Sequence, residues 1–212
     1  MKNLYVKKLI NPFCQFISVI FYPVFMPLYG IYTLAHTNPF SIYTPDYLLF
    51  IKILVGVFTL IVPLLILLLT MKLGAVSNFQ IDIRRQRTAP YLLTLVSYGI
   101  CLYMFYEIRV PFLLLLLSWG VIVSLLALII INFWWKISAH ATSAGGFLAA
   151  VLLWNGLFHI NSTGFVISII LLCGLIGFAR LYLRAHTPMQ VFAGFLLGLF
   201  CVGLLPYLFI MF

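Results

Sequence analysis

An all-α, polytopic transmembrane bundle of six to seven spans is the fold class this sequence predicts, and three observations carry that expectation. Of 212 residues, 65% are hydrophobic and 7% charged, with a mean hydropathy of +1.22. A soluble domain carries about a quarter of charged residues, so most of this surface must face lipid. Apolar stretches of about twenty residues, each enough to cross a hydrocarbon core of about 30 Å, recur along the chain. The charge is also lopsided, with 12 lysines and arginines against 3 acids.

The spans are expected at 13–35, 47–70, 90–106, 111–132, 143–160, 163–184 and 189–211. Together they read as one integral membrane domain, 1–212, with no polar block long enough for a second. The start, MKNLYVKKLINPF, is basic like a signal peptide. Pro23 and Pro27 interrupt the following apolar run and no small-x-small cleavage pattern follows, so a retained first span is expected. The third span is short, which suits a tilted, kinked or partly re-entrant helix. Cys14, Cys101, Cys173 and Cys201 stand alone in apolar runs and read as packing residues.

Counting spans sorts the polar residues by side. The side that holds the N-terminus regains the chain after the second, fourth and sixth spans. It collects Lys72, Asp82, Arg84, Arg85, Arg87, Lys136, His140, Arg180, Arg184, His186 and Gln190. The opposite side receives Asp46, Lys52, Glu107 and Arg109, and His36 and His159 there read as structural histidines. Nearly every reactive side chain therefore falls on one face. Arg180 comes late in an apolar helix, where a charge is costly and marks function. Arginines near span ends, such as Arg84, Arg85 and Arg184, also serve as ordinary topology or headgroup anchors.

Three carboxylates in the whole chain cannot supply the clusters that hold magnesium, calcium or paired metals, so no metal or cofactor is expected. The ligand should be an anion. Two histidines among arginines suit metal-free phosphoryl transfer. Guanidinium groups bind phosphate and neutralise its charge, one imidazole attacks phosphorus, and the other protonates the leaving group. Thr187 reads as an N-cap with Pro188 at the first helical position, which puts His186 at a helix N-terminus.

These residues resemble the motifs of the type 2 phosphatidic acid phosphatase superfamily, integral-membrane relatives of vanadium haloperoxidases. The family's third motif, S-R-x-x-x-x-x-H-x-x-x-D, is matched here by A-R-L-Y-L-R-A-H-T-P-M-Q, with Arg180 and His186 in register. Its second, P-S-G-H, is matched by I-S-A-H at Ser138 and His140. Its first, K-x-x-x-x-x-x-R-P, is met loosely by Q-I-D-I-R-R-Q-R-T-A-P with Arg87 and Pro90. The likeness runs from about residue 80 to 198. It implies that His186 is the nucleophile and His140 the general acid. Arg87 and Arg180, with Ser138, would hold the phosphate. Beyond the delayed Pro90 and Ile137 in place of proline, the sequence departs from the family at four places. Gln80 stands in place of lysine, a loss that Arg84, Arg85 or Lys136 would have to compensate. Ala139 replaces glycine, Ala179 replaces serine and Gln190 replaces the orienting aspartate. Thr187 and Gln190 also spell the capping box T-x-x-Q, so Gln190 has two readings: a helix cap, or an acceptor that orients His186.

Three functions stay open on the sequence. One is a phosphatase acting on a membrane lipid phosphate, a monoester or diphosphate. The others are an impaired relative that binds or moves anionic lipids, and a small transporter. No nucleic-acid partner is expected, and the oligomeric state leaves no trace in the sequence. With Arg87, Lys136 and Arg180 set aside as site residues, Lys2, Lys7, Lys8, Lys72, Arg84, Arg85 and Arg184 outnumber Lys52 and Arg109. The positive-inside rule then puts the site on the cytoplasmic face of a membrane, expected to be the bacterial inner one.

Overall fold

The computed structural model describes residues 2–212, with side chains from Ile10 onward. The side chains of Lys2, Lys7 and Lys8 therefore lie outside the described residues. The chain is an all-α bundle: α1 (Lys2–Ile20), α2 (Met26–Ala35), α3 (Pro45–Val55), α4 (Val62–Lys72), α5 (Thr88–Glu107), α6 (Phe112–Asn132), α7 (Ala139–Leu157), α8 (Thr163–Tyr182), α9 (Pro188–Leu199) and α10 (Leu205–Met211). Among the described residues no strand occurs.

Five continuous helical stretches are long and apolar enough to cross a membrane: Pro45–Lys72, Arg84–Glu107, Phe112–Asn132, Thr163–Tyr182 and Pro188–Met211. A sixth follows if the bent pair Ile10–Ile20 and Pro23–Ala35, which meet at 41°, is one span. Pro23 opens a short 3₁₀ turn there, because it has no N–H to continue the α-helical ladder. The expected short third span is longer than its apolar run. A 3₁₀ turn over Arg84–Arg87 precedes α5, and the arginines extend the helix because backbone carbonyls take up their guanidinium groups.

α7 is the exception among the expected spans. It has 19 residues, but its N-terminal half, AHATSAGG, is too small and polar to pass as apolar. It has no need to be, because it is the most enclosed helix and faces other helices rather than lipid. Gly145, Gly194 and Gly198 bring α7 and α9 together so closely that an added Cβ would strike backbone. At Gly198 it would meet Thr142 O, and at Gly145 Phe195 O. This small-residue contact is the usual means of helix association in lipid.

Two helices widen into π turns, Gly56–Ile61 between α3 and α4 and Phe200–Leu204 between α9 and α10. Proline explains both. Pro63 and Pro206 supply no N–H to the carbonyl four residues back, so the ladder slips by one. A carbonyl left free in hydrocarbon needs another donor, and α5 provides two. Ser97 Oγ donates to Phe58 O at 2.6 Å and Tyr98 OH to Thr59 O at 3.3 Å.

The four cysteines are free thiols inside the packing. His36 bonds to Tyr32 O at 2.6 Å. His159 ends α7 in the left-handed region with φ 52°.

Candidate active site

The loops after α4, α6 and α8 converge at one end of the bundle. The α6–α7 loop is the hub. Arg87 is 3% exposed, and it donates from Nε to Ile81 O at 2.8 Å and from Nη1 to Ile137 O at 3.2 Å. Ile81 itself sits at φ 47°, a left-handed turn that aims its carbonyl at Arg87. Arg180 is 1% exposed near the end of α8. Its Nη1 donates to Gln80 Oε1 at 3.0 Å, while its buried Nε has no partner. A buried guanidinium with an unused donor is prepared for an oxyanion, since leaving that donor unmet costs free energy.

α8 ends at a left-handed Arg184, φ 53°, with Ala185 N bonded back to Arg180 O at 3.1 Å. That turn points His186 inward, where it is buried. Its Nδ1 lies 3.1 Å from Lys136 O and 3.2 Å from Gln190 Oε1. Both neighbours are acceptors, so Nδ1 carries the hydrogen and Nε2 keeps its lone pair. Burial pushes the imidazole pKa down to about 3, with Arg87, Arg180 and Lys136 lowering it further. The ring is thus neutral and nucleophilic at physiological pH. Lys136 is itself shifted below its ordinary value, by burial first and then by Arg87.

Gln190 reconciles its two sequence readings. The capping box is complete: Thr187 Oγ1 accepts from Gln190 N at 3.4 Å, and Thr187 N donates to Gln190 Oε1 at 3.1 Å. That N–H identifies the atom facing it as oxygen, and the same oxygen accepts from His186. The cap therefore holds the amide in its accepting orientation. Gln190 O also accepts from Ser138 N at 3.2 Å, tying α9 to the start of α7.

His140 is buried at the first turn of α7, and its Nε2 lies 3.0 Å from Ser18 O. With a carbonyl as partner, Nε2 carries the proton. Tyr22 sets its ring edge-on to the imidazole, with centroids 5.3 Å apart, and donates its hydroxyl to Phe79 O at 3.0 Å. Arg87, His140 and His186 line one internal cavity, together with Gln80 and Tyr22.

Two expected phosphate ligands have other partners here. Ser138 is fully buried and caps α7, accepting from Ala141 N at 3.4 Å. Arg84 donates to Phe133 O at 2.6 Å and to Asn132 O at 3.3 Å, while Asn132 Nδ2 returns a bond to Arg84 O. That exchange clamps the start of α5 to the end of α6. Asp82 is exposed and closes a small loop with Asn78. The sequence reading missed Ser18 and Tyr22, whose only signal is the proline that breaks the first span beside them.

The family model described as PAP2 superfamily matches residues 131–211. That match covers the end of α6 through α10, hence Ser138, His140, Arg180, His186 and Gln190, and it begins after Arg87. Over this stretch, under half of the chain, the sequence is similar to the type 2 phosphatidic acid phosphatase superfamily, which supports membership of it. No curated protein and no solved structure gave a significant match. That match supports phosphatase-type function in general terms, and together with the apolar helices it supports an integral membrane protein.

Proposed function

We propose that this PAP2 protein hydrolyses the phosphate ester or diphosphate of a membrane lipid through a phosphohistidine, without a metal. The observation that carries the reading is His186, His140 and buried Arg87 lining one cavity, with buried Arg180 bonded to Gln80 on the same cavity. His186 Nε2 attacks phosphorus as the bond to the lipid oxygen breaks. His140, which must carry a hydrogen on both ring nitrogens when the anionic substrate is bound, gives its Nε2 proton to that leaving oxygen and becomes neutral imidazole. Water then attacks phosphorus, His140 takes the proton back, and phosphate departs from His186. Arg87 and Arg180 spread the charge of the equatorial oxygens, with Lys136 adding charge from the neighbouring loop. Arg84 and Ser138 act by holding the loops in place.

Phosphate release from a mixed lipid-phosphate substrate in detergent micelles tests this reading. Activity should survive excess chelator and fall with vanadate, which mimics pentacoordinate phosphorus. Loss in chelator with recovery in magnesium would overturn the metal-free route. One feature favours a second reading, an impaired relative that binds or moves anionic lipids. His140 Nε2 is engaged by Ser18 O, and Gln190 brings no charge to His186. Binding of lipid phosphate with no phosphate release under any condition would establish it.

The proposed location is the cytoplasmic face of the bacterial inner membrane, from the excess of lysine and arginine at the site's end. In a variant lacking the native cysteines, a membrane-impermeant thiol reagent applied to intact cells should label Pro45→Cys and spare Asn78→Cys. Labelling of Asn78→Cys alone would invert the orientation.

A further inference from the structure

Three consecutive residues between α4 and α5 each accept a hydrogen bond from a different group around the site. Phe79 O receives the Tyr22 hydroxyl at 3.0 Å, Gln80 Oε1 receives Arg180 Nη1 at 3.0 Å, and Ile81 O receives Arg87 Nε at 2.8 Å. The segment is itself fixed. Ile81 is buried with Tyr22, Leu67 and Val76, and its N–H donates to Asn78 O at 3.1 Å. The Asn78 side chain in turn bonds both the carboxylate and the N–H of Asp82. Phe79 and Ile81 accept through backbone carbonyls, which any residue would supply. Gln80 alone accepts through its side chain.

Arg180 depends on that side chain. It lies near the end of α8, 1% exposed, and a hundred residues along the chain from Gln80. A guanidinium is donor-only, so the amide atom that faces it must be oxygen. With Nη1 held there, the planar fork keeps one orientation, and its buried Nε stays without a protein partner.

The acceptors that hold the two arginines are all neutral: Ile81 O and Ile137 O for Arg87, Gln80 Oε1 for Arg180. A buried arginine is ordinarily paired with a carboxylate, which orients it and also cancels its charge. An amide or carbonyl oxygen orients the guanidinium and leaves its whole charge for an incoming anion. Asp82 is bonded to Asn78 instead. We propose that Gln80 is a positioning residue of the phosphate site, which fixes Arg180 through a neutral acceptor so that it meets the phosphate oriented and uncompensated. This rests on the phosphatase reading and deepens it. Lysine, which the family's first motif carries at this place, has no acceptor and could not hold Arg180, so the role belongs to this chain's glutamine.

Orthovanadate binding to the purified full chain in detergent, followed by calorimetry, reads the site without turnover. Gln80→Met keeps the side-chain length and removes the acceptor, and should raise the vanadate Kd about tenfold, the worth of one hydrogen bond to a charged group. Gln80→Glu keeps the acceptor but sets a carboxylate on Arg180. Its thermal stability should hold or rise while vanadate affinity falls by at least about tenfold. Gln80→Lys should weaken vanadate by at least about tenfold, because it sets a second cation against Arg180 with nothing to hold it. A direct phosphate ligand at position 80 would instead bind vanadate more tightly as lysine, and a mere clamp on α8 would bind it normally as glutamate. Either result, or wild-type affinity in Gln80→Met, would overturn the positioning role while leaving the phosphatase reading intact. The expected vanadate series in a protein that releases no phosphate from any lipid phosphate would overturn the phosphatase reading and leave the role of Gln80 standing. A wild-type chain that binds no vanadate would overturn both.

Discussion

His186→Ala should abolish phosphate release, by a factor on the order of 10⁴ or more, because removing a nucleophile that acts as a unit with its proton donor costs about as much as removing the whole set. The protein should stay folded and inserted, since the side chain's hydrogen bonds are two, to Lys136 O and Gln190 Oε1. The direct readout is the intermediate. Substrate labelled at phosphorus, quenched during turnover, should leave label on the native protein that survives base and is released by acid, as a phosphoramidate does. The His186→Ala variant should carry none. His140→Ala should behave differently, because it removes the proton donor and the water-activating base but leaves the attacking Nε2. Its label should accumulate with a good leaving group, while turnover stays low. Substantial turnover in His186→Ala would rule out the covalent route.

Much of this site was legible in the sequence. Apolar length located most of the spanning helices, α7 excepted, because a backbone in lipid has few ways to satisfy its hydrogen bonds. Arg180 and His186, six residues apart, lie on the end of α8 and just past its left-handed turn at Arg184. What the sequence does not carry is the partner of each polar group. Arg84 and Arg87 look alike in R-R-Q-R, yet one clamps α6 through Phe133 O and the other is buried against Ile81 O and Ile137 O. Ser138 in I-S-A-H looks like a phosphate ligand and is spent as the cap of α7. Ser18 and Tyr22 lie more than a hundred residues from His140 and touch it only because α1 and α2 meet at a bend. The cavity is hidden for the same reason. Its lining is drawn from α2 through α7, helices far apart in sequence, so no one stretch announces it.

The family's orienting carboxylate and this chain's Gln190 differ in charge but meet the same hydrogen bond. A carboxylate would stabilise the cationic imidazole that forms when Nε2 is phosphorylated, and an amide offers only a dipole. The capping box supplies what the amide lacks in certainty, because Thr187 N–H holds Oε1 toward His186. Two consequences separate orientation from capping. Gln190→Leu should remove the acceptor from Nδ1 and lower turnover by a factor on the order of 10²–10³, short of the roughly 10⁴ lost when a charged orienter is neutralised. Its effect on stability should be only about 1 kcal/mol, the worth of a helix cap. Gln190→Asp should restore a charge beside the imidazole and retain or raise turnover. Gln190→Glu should keep the box, because the same side-chain length reaches Thr187 N, and should leave stability unchanged. The measurements are kcat per folded molecule and thermal unfolding in the same detergent. Equal turnover in Gln190→Leu, Gln190→Asp and Gln190→Glu, with stability alone reduced in the leucine variant, would leave Gln190 as a cap and nothing more.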